Sequence, residues 1–260
     1  MAAIERHSFE RDGFKLSYLD SVEGKPLVAL HAHWMEGSTF SRLADDLSPI
    51  WRVIALDQRG HGFSERSSDY SRSAYIADIL GLFNHLDIDK AVVLGNSLGG
   101  VNAYQLAARN PQRVAALIVE DIGATINDDT SIALEWKGIY PTRAALESKI
   151  GERLSPALRS SIRETAQGWR LAFDPDDMVI SQTGLNGDHW DDWLASRCPA
   201  LLIRGRQSRV SNAILFEQMA ERRPNTKLVI VDGGHVVHFD NPAGFAHVVK
   251  EFLDGLADES

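Results

Sequence analysis

The stretch Ala91-Val92-Val93-Leu94-Gly95-Asn96-Ser97-Leu98-Gly99-Gly100 decides the fold, because a short apolar run passes there directly into a helical pattern. Ser97 stands at the turn, with a glycine two positions before it and another two positions after it. A G-x-S-x-G turn between a strand and a helix holds its serine in a strained conformation above the edge of a sheet. The N–H groups and the positive dipole end of the helix then point to the same place. The stretch predicts a nucleophilic Ser97 rather than an ordinary glycine-rich turn.

Short apolar runs recur along the chain, each too short for a helix and each ending near glycine, aspartate or histidine. Such runs are typical of strands that are buried on both faces of a parallel sheet. Segments with a 3.6-residue apolar period, such as 75–86 and 101–108, separate them and predict crossover helices. The pattern predicts a doubly wound α/β fold. The predicted strands contain Leu27–Leu30, Val53–Leu56, Ala91–Leu94, Ala116–Val119, Leu201–Ile203 and Leu228–Val231.

Residues 123–197 interrupt this pattern, because they contain several helical stretches and no convincing strand. An insertion of this length is most simply a helical cap over one edge of the sheet. We therefore predict a core formed by residues 1–122 and 198–260 and a cap formed by residues 123–197. The cap holds four of the six tryptophans, which either fasten it to the core or line an apolar pocket beneath it. Those tryptophans are Trp136, Trp169, Trp190 and Trp193.

Three further motifs accompany the serine turn. They are His31-Ala32-His33-Trp34 after the run Leu27–Leu30, 57–64 (DQRGHGFS) after the run Val53–Leu56, and Asp232-Gly233-Gly234-His235 after the run Leu228–Val231. With them the chain resembles the α/β-hydrolase superfamily over nearly its whole length. The resemblance implies a mostly parallel eight-stranded sheet flanked by helices, with the cap inserted after strand six.

The resemblance identifies His235 as the catalytic base. A serine hydroxyl is a poor nucleophile until a base removes its proton. His235 follows a predicted strand and a Gly-Gly pair that lets the loop fold back over the sheet edge, and His238 is its competitor. The other histidines outside the motifs are expected on the surface or in packing positions; they are His7, His85, His189 and His247.

The acid of the triad departs from the commonest pattern of the superfamily. Most members carry an aspartate after the seventh strand, whereas residues 205–209 (GRQSR) contain no carboxylate. A histidine without an orienting acid adopts the wrong tautomer. Asp121, which ends the sixth strand, resembles the acid of a minority of members that includes some esterases and a fungal lactone hydrolase. Glu120 is the alternative.

The oxyanion hole needs two main-chain donors. By resemblance these are the N–H groups of Leu98 and His33, although Ala32 stands where most members have glycine, which tolerates more backbone angles. Candidate substrate-binding residues are Trp34, Trp136, Tyr140 and Val236.

Composition restricts the partners. The chain has 260 residues, a formal charge of −9 and one cysteine. The acidic balance argues against general affinity for nucleic acid. A single thiol excludes an internal disulfide framework. No apolar run reaches the length of about 18 residues that a membrane span needs. No spacing suggests a metal site. We expect a cytoplasmic monomer or homodimer that acts on a small molecule without a cofactor.

The expected reaction is hydrolysis of a carboxylic ester or lactone with an apolar moiety through an acyl-enzyme. Three alternatives remain open: a carbon–carbon hydrolase of ring-cleavage products, a cofactor-free dioxygenase, and a hydrolase-like ligand receptor. Carbon–carbon hydrolases tend to carry an aromatic residue after the histidine, where this chain has Val236. Epoxide hydrolase and dehalogenase chemistry require an aspartate at position 97 and are excluded.

Overall fold

A computed structural model describes residues 4–210 and 212–258, so Ser211 and both ends of the predicted core lie outside it. An eight-stranded sheet forms the centre, in the order β1-β2-β4-β3-β5-β6-β7-β8. The β2 strand runs antiparallel to both of its neighbours, β1 and β4, and β3 to β8 run parallel to one another. The strands are β1 (Glu5–Arg11), β2 (Phe14–Asp20), β3 (Lys25–Leu30), β4 (Trp51–Asp57), β5 (Ala91–Asn96), β6 (Val114–Glu120), β7 (Ala200–Gly205) and β8 (Thr226–Val231).

Helices cover both faces of this sheet, as the sequence predicts for strands that are apolar throughout. The α1 and α9 helices bury Leu43, Leu47 and Val249 against one face, and α2, α3 and α7 cover the other face. The helices are α1 (Ser41–Leu47), α2 (Arg72–His85), α3 (Leu98–Arg109), α4 (Arg143–Ile150), α5 (Pro175–Leu185), α6 (Trp190–Ala195), α7 (Ala213–Arg222), α8 (Val237–Asp240) and α9 (Pro242–Asp258). Within the described ranges, no helix is long and apolar enough to cross a membrane.

All six apolar runs of the sequence lie in strands of this sheet, and the predicted doubly wound α/β fold is confirmed. Because β3 to β8 are parallel, the segments that follow their carboxyl ends meet at one edge of the sheet. That edge holds His31–Trp34 after β3, the serine turn after β5, Asp121 after β6 and the histidine loop, Asp232–His235, after β8. We call His31–Trp34 the oxyanion segment, after the role that the resemblance implies for His33.

Residues 123–197 lie between β6 and β7 and differ from the expectation of helices alone. They contain α4, α5 and α6, but also an antiparallel hairpin of Ile162–Thr165 with Gly168–Leu171. Gly168 has a φ of 130°, which lets the turn close. Each strand of the hairpin has only four residues, so it is too short to give a clear alternating pattern in the sequence.

Three of the four tryptophans of this segment contact the rest of the chain, whereas Trp169 pairs with Tyr140 within the segment. Trp193 is fully buried in the core below α6, and its indole N–H donates to the Met219 carbonyl at 3.0 Å. Trp136 is buried in a separate apolar cluster between the segment and the oxyanion segment. The Arg222 guanidinium lies 4.0 Å from the ring centre of Trp190.

Candidate active site

The serine turn has the strained geometry that its sequence predicts. Ser97 adopts a φ of 53° and a ψ of −115°, a conformation that non-glycine residues rarely enter. A methyl group on Gly95 would lie 2.1 Å from the Gly99 carbonyl oxygen, and one on Gly99 would lie 2.0 Å from the Leu30 carbonyl oxygen. Both distances are far inside van der Waals contact, so the two glycines allow the strand and helix to approach closely enough for Ser97 to occupy the corner.

Asp121 is fully buried and faces the histidine loop. Its Oδ2 accepts a hydrogen bond from Nδ1 of His235 at 2.8 Å and another from the Ser208 hydroxyl at 2.5 Å. Its Oδ1 accepts from the Gly205 N–H at 2.9 Å. Asp121 has a φ of 50°, which aspartate tolerates better than most residues and which turns the chain sharply as it leaves β6. These three hydrogen bonds fix the orientation of the Asp121 side chain.

The serine turn also contacts the histidine loop through Asn96. The buried Asn96 side chain donates to the carbonyl of His235 at 3.0 Å and to the carbonyl of Glu120 at 3.3 Å. The Ser97 N–H donates to the same Glu120 carbonyl at 3.1 Å. Asn96 therefore connects the ends of β5 and β6 with the histidine loop.

The structure pairs the two alternative candidates, Glu120 and His238, with each other. Glu120 Oε2 accepts from Nδ1 of His238 at 2.7 Å, and Oε1 accepts from the His238 main-chain N–H at 2.9 Å. Both side chains are almost completely inaccessible. Neither residue lines the cavity that Ser97 and His235 share. Geometry therefore brings Asp121 and His235 together beside Ser97 and places the other carboxylate and histidine behind them.

The oxyanion segment is held to the turn after β4. The Gln58 N–H donates to Nε2 of His31 at 3.0 Å, and the Gln58 side-chain amide donates to the His31 carbonyl at 2.6 Å. Nδ1 of His31 therefore carries the proton and donates to the Ala32 carbonyl at 2.7 Å. Burial lowers the pKa of His31 to about 4, which keeps this ring neutral. The positive φ of the segment falls on Trp34, at 70°, so Ala32 needs no glycine-like conformation.

The main chain and the side chain of His33 have different surroundings. Its main chain lies in the oxyanion segment beside the cavity, while its Nε2 shares a hydrogen bond of 2.8 Å with the hydroxyl of Ser181 in α5. Ser181 in turn lies 2.8 Å from the Tyr75 hydroxyl. Burial, followed by the neighbouring His61, lowers the pKa of His33 well below its usual value. The second candidate donor, the Leu98 N–H, is the first of α3, where N–H groups have no partner within the helix.

A cavity of about 420 Å³ lies between the sheet edge and the inserted segment. Ser97, His235 and His33 line its floor. Its walls are mainly aliphatic and come from α4, the chain after α4 and the residue after His235; they include Ile150, Leu154, Ala157, Leu158 and Val236. Arg153, Asp128 and Gln182 add polar groups.

Two of the four predicted substrate-binding residues lie in this wall. Trp34 and Val236 line the cavity. Trp136 lies behind Trp34, with ring centres 5.1 Å apart in an edge-to-face arrangement. Tyr140 pairs with Trp169 at the side of the hairpin. Trp136 and Tyr140 thus lie outside the wall that the described residues form, because Trp136 is buried behind Trp34 and the Tyr140 main chain is bridged to Trp169.

Sequence reasoning missed several residues that hold the site together. Gly205 and Ser208 lie in the segment where most members of the superfamily carry the acid of the triad. In this chain both residues donate hydrogen bonds to Asp121. The run of residues 205–209 signalled only a missing acid. Ser181 and Gln58 contact the oxyanion segment from 148 and 27 positions away in the chain, a separation that no local pattern reveals.

The comparisons with known proteins find relatives over most of the chain. A sequence model of the alpha/beta hydrolase family matches residues 27–248. The chain is similar to 2-(acetamidomethylene)succinate hydrolase of Mesorhizobium japonicum, with 26% identity over 92% of this chain and 91% of that protein. It is also similar to pimeloyl-[acyl-carrier protein] methyl ester esterase of Vibrio campbellii, with 29% identity over 88% of this chain and 95% of that protein.

Solved structures share the fold. The crystal structure of E-2-(acetamidomethylene)succinate hydrolase superposes with a TM-score of 0.87 at 24% identity, covering 97% of this chain and all of that one.

Proposed function

The chain belongs to the alpha/beta hydrolase family, and on that premise we propose that it is a serine hydrolase that cleaves a carboxylic ester or lactone with an apolar moiety through an acyl-enzyme. The observation that carries the proposal is the 2.8 Å hydrogen bond between Asp121 and His235 Nδ1, in a histidine loop that shares one cavity with the strained Ser97. Because Nδ1 donates to the carboxylate, Nε2 of a neutral His235 is free of a proton and can act as a base.

The proposed reaction begins when Ser97 Oγ attacks the substrate carbonyl carbon and its proton passes to His235 Nε2. The carbonyl oxygen becomes an oxyanion, which the N–H groups of Leu98 and His33 stabilise. A lost donor of this kind costs about 3–4 kcal/mol in comparable sites. The intermediate collapses, the C–O bond breaks, and the His235 imidazolium gives its proton to the departing alkoxide. Water then attacks the acyl-enzyme with His235 as base, which releases the acid and restores Ser97.

The walls of the cavity support an apolar substrate. Leu154, Leu158 and Val236 are aliphatic, and the volume of about 420 Å³ lies within the range of about 300–1,000 Å³ that is usual for small-molecule sites. A linear acyl chain or a lactone ring of moderate size fits such walls better than a highly charged group. The relatives act on different substrates, and the name of one of them is that of an esterase.

A substrate series tests the proposal. Purified protein is incubated with p-nitrophenyl esters of increasing acyl length and with a matching series of lactones, beside the Ser97→Ala variant as control. We expect turnover that rises and then falls with chain length, and no turnover in the variant. A fluorophosphonate should add its mass to the peptide that contains Ser97.

Other outcomes would contradict the proposal. Labelling of Ser97 without turnover of any ester or lactone indicates a ligand receptor. Turnover of a ring-cleavage product in preference to every ester indicates a carbon–carbon hydrolase. Oxygen consumption with a hydroxyquinolone indicates a cofactor-free oxygenase.

A further inference from the structure

The pairing of Glu120 with His238 has no part in the proposed reaction, although it lies directly beside the triad. Glu120 is the neighbour of Asp121 in the chain, and His238 stands three residues after His235. The two adjacent carboxylates at the end of β6 thus each bind a different histidine of the same loop. Asp121 contacts the histidine in the cavity, whereas Glu120 contacts one that is buried away from it.

Glu120 holds His238 at two points. Oε1 accepts the main-chain N–H of His238 at 2.9 Å, within the short α8 helix, and Oε2 accepts the ring Nδ1 at 2.7 Å. The accessible fraction of the two side chains is 0% and 2%. A buried carboxylate that accepts two hydrogen bonds binds its partners strongly. Removing it would leave two buried donors with neither a protein acceptor nor water to bind. The contact therefore restricts the path of the loop on the carboxyl side of His235.

The same histidine contacts the chain that follows the oxyanion segment. Nε2 of His238 lies 2.7 Å from the hydroxyl of Thr39. Thr39 belongs to a 3-10 helix, Gly37–Phe40, that follows His33 and Trp34. Since Nδ1 donates to Glu120, Nε2 of a neutral ring accepts a hydrogen bond from the Thr39 hydroxyl. One continuous chain of hydrogen bonds thus joins the strand of the acid, the loop of the base and the segment after the oxyanion donor.

We infer that Glu120, His238 and Thr39 form a positioning relay, which aligns His235 and the oxyanion segment with Ser97 but does not touch the substrate. The inference rests on the proposed function. Catalysis by a triad depends on reacting atoms held within a fraction of an ångström, and a displacement of about 1 Å can cost about 100-fold in rate. The relay should therefore affect kcat much more than KM, since none of its three residues lines the cavity.

Substitutions at position 120 test the inference. Glu120→Ala removes both acceptors, and we expect kcat for the best p-nitrophenyl ester to fall by about 10- to 100-fold with KM changed less than about twofold. Glu120→Gln keeps a carbonyl oxygen for the His238 N–H and the same shape, so it should restore kcat to within about threefold of wild type. Leu117→Ala, a buried apolar change on the same strand, is the matched control and should lower Tm without lowering kcat.

Substitutions of Thr39, at the other end of the relay, provide a second test if Glu120→Ala does not fold. Thr39→Val removes only the hydroxyl and should lower kcat at unchanged KM, whereas Thr39→Ser should retain it. A Glu120→Ala or Thr39→Val protein with wild-type kcat per folded molecule and a lower Tm, as expected for Leu117→Ala, would overturn the inference. The rate of fluorophosphonate labelling at Ser97 is measured for every variant. Because labelling needs no ester turnover, it tests the relay even if the proposed function fails.

Discussion

Replacement of Asp121 by asparagine is the substitution whose effect the geometry defines best. Oδ1 of Asp121 accepts the Gly205 N–H, and Oδ2 faces two donors, His235 Nδ1 and the Ser208 hydroxyl. An asparagine keeps its carbonyl oxygen toward Gly205 and turns its NH₂ group toward His235. The His235 ring must then accept at Nδ1 and carry its proton on Nε2, where it cannot remove the proton of Ser97.

We expect this change of tautomer to lower kcat for ester hydrolysis by about 10⁴-fold, as for triad acids elsewhere. That factor corresponds to about 5 kcal/mol of transition-state stabilisation. KM should change little, since Asp121 does not line the cavity. The assay is steady-state hydrolysis of the best p-nitrophenyl ester, with Tm measured on the same preparations.

Glu120→Gln is the control for this experiment. It makes the same chemical change one residue earlier in the chain, at a carboxylate that binds the other histidine. If Asp121→Asn retained kcat within tenfold of wild type, or if Glu120→Gln were the more damaging change, Asp121 would not be the acid of the triad.

Two further predictions concern stability. Gly99→Ala should lower the free energy of unfolding by more than about 3 kcal/mol in urea titrations, because the new methyl would lie 2.0 Å from the Leu30 carbonyl oxygen. Gly255→Ala is the control: this glycine lies on a helix with open space around it, so the change should be neutral or stabilising by up to about 1 kcal/mol. Similar effects of both changes would contradict the packing argument. The buried neutral histidines predict a dependence on pH: burial lowers the pKa of His31 to about 4 and that of His61 to about 3, from 6.5. The unfolded chain therefore binds more protons than the folded one below pH 6.5, and the stability that each neutral ring contributes is fully present above that pH. This stability is lost as the pH falls toward the folded pKa. The free energy of unfolding from urea titrations should therefore be lower at pH 5 than at pH 7, by about 2 kcal/mol for each ring. Equal values at the two pH values would contradict the prediction.

The main sheet could be predicted from the sequence because local patterns determine it. Strands buried on both faces, such as Val92–Leu94, are apolar at every position, and the glycines around Ser97 are needed by the close approach of β5 and α3. The absence of a carboxylate in residues 205–209 also pointed to Asp121, the residue whose carboxylate contacts His235 in the structure.

The inserted segment and the inner contacts of the site could not be predicted in the same way. The hairpin of Ile162–Thr165 with Gly168–Leu171 is too short to give a clear pattern. The pairing of Glu120 with His238 depends on the exact path of the loop after β8, and the bond from His33 to Ser181 depends on how α5 lies over the oxyanion segment. Long-range polar contacts of this kind need coordinates, because the sequence around each residue does not show which distant residue it will contact.

Mass spectrometry of the protein after rapid mixing with a p-nitrophenyl ester detects the Ser97 acyl-enzyme itself. We expect the acyl group of the ester on the peptide that contains Ser97, early in the reaction and in step with the first release of p-nitrophenol. The Ser97→Ala protein should carry no such mass. Turnover of the ester with Ser97 unmodified, or an acyl group that appears equally in the Ser97→Ala protein, would contradict catalysis through a Ser97 acyl-enzyme.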